Sequence, residues 1–392
     1  MRAVVARRSA RDNLHVKFRK GQAHMPPQPK LPVPIELNQV PPSFRPFAEA
    51  ILWLDDPVPG LIQLLGTLGE KAPAIEACDF ALLLRRALPK SDRLARVSDI
   101  YVRRNYPLWY IRAVNDPHRN AAYRRALEAL MTPETLVVEA GTGSGLFAML
   151  AARAGAQHVY TCETNPHVAA IARSNIARNG LASRITLFDC RYEDLRLGKH
   201  LPRRADMLMH EFVDSHFVVA KMGPMFQRIR EDLLTPEALI LPQRFAAVGM
   251  LVGDQWPLDS IRVPAKVEGF DLTEINLFAA ADVSLAGPVA IEQPLSASQT
   301  LAEFDLTSDM SPAKGTHLTK LQATASGAAT GILQWVRHGF PDGSAYENRP
   351  ELACNWWPTF WPFHNPVPVA AGDTLVVRIE CTATEVFFDL VN

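Results

Sequence analysis

The chain has 392 residues, enough to bury a large core and to form two or three domains. Lys plus Arg equals Asp plus Glu at 41 each, so no global field draws it to nucleic acid or a membrane surface. Its five cysteines, at 78, 162, 190, 354 and 381, lack CxxC or metal-finger spacing, which argues against a disulfide framework or a zinc site and for a reducing, cytoplasmic compartment.

The first thirty residues carry eight Lys or Arg against the single acid Asp12, and seven prolines follow from Pro26 to Pro42. Residues 1–42 therefore read as a basic, proline-rich tail or arm. No apolar run reaches transmembrane length, and no signal-peptide core follows the N-terminus. Apolar residues at i, i+3, i+4 spacing in Leu61-Leu64-Leu65-Leu68 and Phe80-Leu83-Leu84-Leu88 predict a helical N-terminal domain over 43–104. An aromatic-rich stretch from Tyr101 to Tyr110 leads into a predicted helix, Asn120–Leu127.

From 133 to about 242 strands and helices alternate, the signature of a doubly wound parallel sheet, and the domain is bounded at 105–242. Leu136-Val137-Val138 reads as a buried strand ending in Glu139, and Gly141, Gly143 and Gly145 then allow a tight turn close to a ligand. Leu146 to Gly155 is Ala- and Leu-rich and predicts a helix whose free amides face that ligand. The next strand, His158–Cys162, ends in Glu163, eighteen residues after Gly145, where such folds carry a carboxylate for a ribose diol. Arg178-Asn179-Gly180 and Arg184–Leu187 supply the following turn and strand. The spacing is GxGxG; the dinucleotide fingerprint would need its third glycine at Leu146. A glycine-rich structural turn is the bland alternative, and a nucleotide-type cofactor is favoured once Glu163 is included. After Leu239–Pro242 the pattern changes to short strand-like runs, such as 246–252 and 374–379, separated by turn residues. Residues 243–392 therefore predict an antiparallel β-barrel or sandwich, and the fold class is α/β, with a Rossmann-like domain ahead of that second domain.

The motif E-x-GxGxG resembles motif I of the class I methyltransferases, and several further stretches resemble the protein arginine methyltransferase family in the same order. Asn115-Asp116-Pro117-His118-Arg119-Asn120 is similar to its pre-motif helix, and Tyr192-Glu193-Asp194-Leu195 to its adenine segment. Met209-His210-Glu211-Phe212-Val213-Asp214 is similar to the start of its substrate loop, and Asn355-Trp356-Trp357 stands where the family has Thr-His-Trp. The resemblance covers about 105–392. It implies S-adenosylmethionine as cofactor, held by Arg119 (donor carboxylate), Glu139, Gly141, Gly143, Gly145, Glu163 (ribose) and Glu193 (adenine amino group). It also implies Glu211 as the catalytic residue that holds a guanidinium, Asp214 as a second contact or proton acceptor, Asn355 and Trp356 at the substrate, and no metal. A tyrosine closing over the cofactor would be Tyr106 or Tyr101.

Two departures stand out. The family's second loop glutamate falls on Ala220, and the histidine of the Thr-His-Trp loop is missing, with Asn355 read in its stead. A guanidinium fork is normally held by two carboxylates, so Glu211 would be helped by Asp214, His216 or Asn355. With the neutral net charge and the extra N-terminal region, this favours N-methylation of free L-arginine or a related small guanidine, one methyl at a time. A protein or peptide arginine methyltransferase and a cofactor-binding inactive scaffold are the alternatives. The resemblance further implies a homodimer joined by an arm, for which 254–285 is the candidate segment, while the charge balance and cysteine usage favour a cytoplasmic enzyme with neither nucleic acid nor membrane as partner.

Overall fold

The computed structural model describes residues 31–106, 109–212, 223–307, 315–381 and 386–391. The chain divides into two units, Met1–Pro107 and Leu108–Asn392. In the first, four helices follow in order: α1 (Arg45–Leu52), α2 (Val58–Leu68), α3 (Ala74–Ala87) and α4 (Asp92–Asn105). Prolines open α1 and α2, where a missing N–H costs nothing, and Ser91 caps α4 by accepting from Leu94 N at 3.2 Å. The heptad-like apolar stripes bury Leu61, Leu65, Leu84 and Leu94 around Phe44 and Phe80, whose rings stack at 4.5 Å.

The second unit begins with α5 (Trp109–Val114) and α6 (Pro117–Leu130) and continues through β1 (Leu136–Ala140), α7 (Leu146–Ala154), β2 (His158–Cys162), α8 (Pro166–Arg178), β3 (Ile185–Phe188), β4 (Ala205–His210), α9 (Gly223–Leu233) and β5 (Leu234–Leu241). The five strands form one parallel sheet in the order β3-β2-β1-β4-β5. Every residue of β1 is buried, Val137 in one core with Met207 and Phe147, Val138 and Ala140 in another with Leu208 and Phe226. Such two-sided burial explains the unbroken apolar run in the sequence. Gly155, at φ 114°, ends α7 one residue before the predicted limit. β3 starts at Ile185 because Arg184 N closes a turn onto Leu181 O at 2.9 Å.

Only Pro242 and Gln243 separate β5 from β6 (Arg244–Val252). Gln243 donates its N–H to Gly339 O at 3.0 Å and accepts from Leu306 N at 2.8 Å. Beyond β6 lie α10 (Trp256–Asp259), β7 (Val283–Ser284), β8 (Gln299–Asp305), β9 (Gly315–Gln322), β10 (Gly327–Gly339), β11 (Ala345–Glu347), β12 (Thr359–Val369), β13 (Thr374–Cys381) and β14 (Val386–Leu390). They make two antiparallel sheets, β7-β12-β10-β6-β8 with β11 paired to β10, and β14-β13-β9. Phe245, Ile332, Trp361, Val377 and Phe388 from both sheets share one core. Among the described residues no helix is long and apolar enough to cross a membrane.

Candidate active site

β1 lies between β2 and β4, and the chain continues to opposite sides of it, so a crevice opens at the carboxyl ends of these strands. There a cavity of about 310 Å³ is lined by Gly141–Ser144, Glu139, Glu163, Arg119, Glu211 and Phe212, with Tyr110, Ala113 and Val114 of α5 and Cys190 and Tyr192 beside them. Gly141 has φ 79°, and a Cβ there would sit 3.1 Å from the Phe212 ring, so the turn needs glycine on both counts. Gly143 N donates to Glu163 Oε2 at 3.2 Å, and Asn165 N to Glu163 Oε1 at 3.0 Å, which fixes that carboxylate at the end of β2. Glu139 is buried and accepts from Thr161 Oγ1 at 2.6 Å. Burial pushes its carboxyl up to about 7, with the Thr161 bond working against the rise.

Asp116 caps α6. Its Oδ1 accepts from Arg119 N at 2.9 Å, and its Oδ2 accepts from both Tyr346 Oη and Asn355 N at 2.8 Å. The Arg119 guanidinium, 3% exposed, donates from Nη1 to Glu211 Oε2 at 2.7 Å and lies 4.8 Å from the centre of the Phe147 ring. Glu211 follows β4 directly. Burial pushes its carboxyl up to about 7, and Arg119 and the Trp356 side chain hold it from rising further. His210, just before it, is buried with Nε2 3.2 Å from Pro242 O. Burial drives its pKa down to about 3, so the ring is neutral and the Pro242 carbonyl takes the Nε2 proton.

The structure brings Arg119, Glu139, Gly141, Gly143, Glu163 and Glu211 to one cavity wall. Gly145, at φ 83°, instead forms the N-cap of α7 behind the turn. Glu193 is not among the lining residues: it turns outward to Arg191, at 2.8 Å, and that partner holds its carboxyl down at about 2. Asp214, with His216 and Ala220, lies outside the described residues. Asn355 is 5% exposed, and neither Oδ1 nor Nδ2 has a partner, although its backbone is tied to Asp116. Trp356 gives its carbonyl to Asn348 Nδ2 at 2.6 Å and its side chain to the neighbourhood of Glu211. Laid residue by residue on Thr-His-Trp, Asn355-Trp356-Trp357 puts Trp356, not Asn355, opposite the histidine, which corrects the sequence reading. Tyr101 packs in the core of the first unit and Tyr106 is the C-cap of α4; Tyr110 and Tyr192 line the cavity.

Sequence reasoning passed over Tyr110, Asp116, Tyr192 and His210. Asp116 carried a usable signal, since Asp before Pro opening a helix is an N-cap signature. The other three carried none.

A parallel sheet in this order, with a glycine turn after β1 and carboxylates ending β1 and β2, is the class I methyltransferase fold. Residues 124–208 match the family model described as Ribosomal protein L11 methyltransferase (PrmA). An "Arginine N(omega)-methyltransferase" of Streptomyces achromogenes subsp. streptozoticus is 34% identical over 325 residues, 81% of this chain and 86% of that protein. "Protein arginine N-methyltransferase 7" of Oryza sativa subsp. indica is 35% identical over 152 residues, 36% of this chain and 21% of that protein. Among solved structures, the "Trypanosoma brucei PRMT1 enzyme-prozyme heterotetrameric complex with AdoHcy" aligns with TM-score 0.62 and 21% identity, over 69% of this chain and 87% of that one. The chain belongs to the arginine N-methyltransferase family of S-adenosylmethionine-dependent enzymes.

Proposed function

We propose that this enzyme moves one methyl group from S-adenosylmethionine to a guanidino nitrogen of free L-arginine or a related small guanidine. The observation that carries the reading is the buried Arg119–Glu211 pair, 2.7 Å apart on the wall of the glycine-turn cavity. The residues fit the donor: Glu163 would accept the ribose diol, Arg119 would meet the carboxylate, and the Gly141–Gly143 turn leaves room beside Glu139 and Tyr110. Glu193 would reach an adenine amino group only on leaving Arg191, whereas Cys190 and Tyr192 already line the cavity. When bound, the donor supplies an electrophilic methyl on its sulfonium.

The chain's own task is the nucleophile. A guanidinium has a pKa above 12 and delocalised lone pairs. Glu211 pairs with one of its edges, draws positive charge towards those nitrogens and aims the target nitrogen at the methyl. The unpaired Asn355 carboxamide, buried in the loop that ends at Trp356, supplies a further acceptor and donor for the fork. Asp214 is our candidate for a second contact or proton acceptor. Phe212 and Trp356 crowd a second methyl. Buried carboxylates at the cavity make the site prefer a cation.

Free arginine is favoured because the Streptomyces relative spans nearly the same length, whereas the chain covers about a fifth of the rice protein arginine enzyme. That second relative supports the other reading, a protein or peptide arginine methyltransferase. Mass spectrometry after incubation with donor and either L-arginine or an Arg/Gly-rich peptide separates the two. Product on the peptide alone would overturn the free-arginine assignment, and product on neither would favour a cofactor-binding scaffold. The same reading takes the enzyme to be a cytoplasmic homodimer. Phe270, Ile275, Leu277 and Phe278 are 71%, 53%, 82% and 88% exposed, an apolar surface suited to a second copy.

A further inference from the structure

Residues 354–357 touch three elements that carry cavity-lining residues. Asn355 N donates to Asp116, the cap of the helix that carries Arg119. The Trp356 side chain lies at Glu211. Trp357 takes the guanidinium of Arg112 on its ring face, with Cζ 3.9 Å from the ring centroid. Arg112 belongs to α5, whose Tyr110, Ala113 and Val114 line the cavity. At 6 residues, α5 is too short to hold its shape alone in water, so its seat depends on such anchors and on Asn120 Nδ2, which donates to Val114 O at 2.7 Å.

We propose that residues 354–357 form a strap coupling enclosure of the methyl donor by α5 to assembly of the guanidine site, with Arg112 and Trp357 as its positioning pair. The inference rests on the assignment of Glu211, Asn355 and Trp356 to the guanidine. A donor packed against Tyr110, Ala113 and Val114 seats α5. The Arg112–Trp357 stack then fixes Trp357, and through two peptide bonds it holds Asn355 and Trp356 in register with Glu211. The coupling is reciprocal, so a bound guanidine tightens the donor site by the same factor. The stack needs a planar cation over an aromatic face, which Lys does not reproduce.

Amide hydrogen exchange on the full chain, with and without S-adenosylhomocysteine, tests this without knowledge of the substrate. In the wild type the compound should slow exchange both in α5 and in 354–357. In Arg112→Lys and in Trp357→Leu, α5 should still respond, while the response at 354–357 should shrink by about threefold or more, a cation–π contact being worth roughly 2- to 30-fold in an equilibrium constant. The KM for whichever guanidine the wild type methylates should rise by a similar factor, with kcat less affected. Arg112→Lys guards against a folding defect in Trp357→Leu. A wild type that binds the compound without slowing at 354–357, or variants that keep the full response there, would overturn the strap. Methylation of neither L-arginine nor the peptide would sink the proposed function, and the exchange data would still decide the coupling.

Discussion

Asp116→Asn is the sharpest test of how the site is held. The carboxylate serves three donors: Arg119 N, Tyr346 Oη and Asn355 N. A carboxamide has one acceptor oxygen, and its NH₂ faces whichever donors the oxygen does not serve. Burial and Asp116 push the Tyr346 hydroxyl far above its ordinary pKa, so it remains a protonated group that can rotate to accept instead. In the least costly arrangement one buried backbone N–H is still orphaned and two charge-assisted bonds become neutral ones. Summed, the cost is about 2–4 kcal/mol, which for a unit of this size lowers Tm by about 4–8 °C. Calorimetry or circular-dichroism melting measures it. Tyr346→Phe alone should cost about 1–2 kcal/mol, but about half that when added to Asp116→Asn, because the charge-assisted bond it removes has already become a neutral one. Melting within 1 °C of the wild type, or fully additive losses, would refute the shared-acceptor account.

Glu163→Ala should weaken donor binding by ~1.5–3 kcal/mol in calorimetry, and an unchanged affinity in a folded variant would remove Glu163 from the ribose. Arg119→Ala should weaken it comparably and also let the Glu211 carboxyl rise above about 7, because Arg119 is what opposes burial there. Glu211→Gln should lower turnover by ~10²-fold or more with donor affinity nearly constant; full activity would take this loop out of the chemistry. Because the Glu211 carboxyl is raised to about 7, it is largely protonated at pH 6 and ionised at pH 8, so kcat/KM should climb across that interval in the wild type. A flat wild-type profile would count against it. Time courses should stop at one methyl per guanidine, and accumulation of dimethylated product would refute the crowding by Phe212 and Trp356.

What the sequence disclosed was local. Glu139, the glycines and Glu163 sit at the ends of adjacent strands, so a few residues of spacing fix their common location. Arg119 was legible only through the resemblance of 115–120 to the pre-motif helix, although the Asp116 cap three positions earlier would also have marked that helix start. The partners of Asp116 were not, because Tyr346 and Asn355 lie 230 and 239 residues away and nothing local marks them. Tyr106 and Tyr101 were read from the resemblance ahead of the pre-motif helix, and nothing in the local pattern singled out Tyr110 of α5, which lines the cavity. Glu193 shows the complementary failure: the segment was found, but the direction of a side chain on the turn Tyr192–Asp194 depends on Arg191, two residues before it. In the Asn355-Trp356-Trp357 stretch the location was legible and the individual correspondence was not.

The two-residue link between β5 and β6 has a mechanical consequence. A hinge requires backbone that can change its dihedral angles without breaking bonds. Here Pro242 has its φ fixed by its ring and its carbonyl engaged by His210, and Gln243 has both its N–H and its C=O committed to neighbouring strands. Rotating the parallel sheet against the antiparallel sheets at this point would break these hydrogen bonds. Through the hydrogen bond from His210 to the Pro242 carbonyl, this link is tied to the carboxyl end of β4, where Glu211 stands.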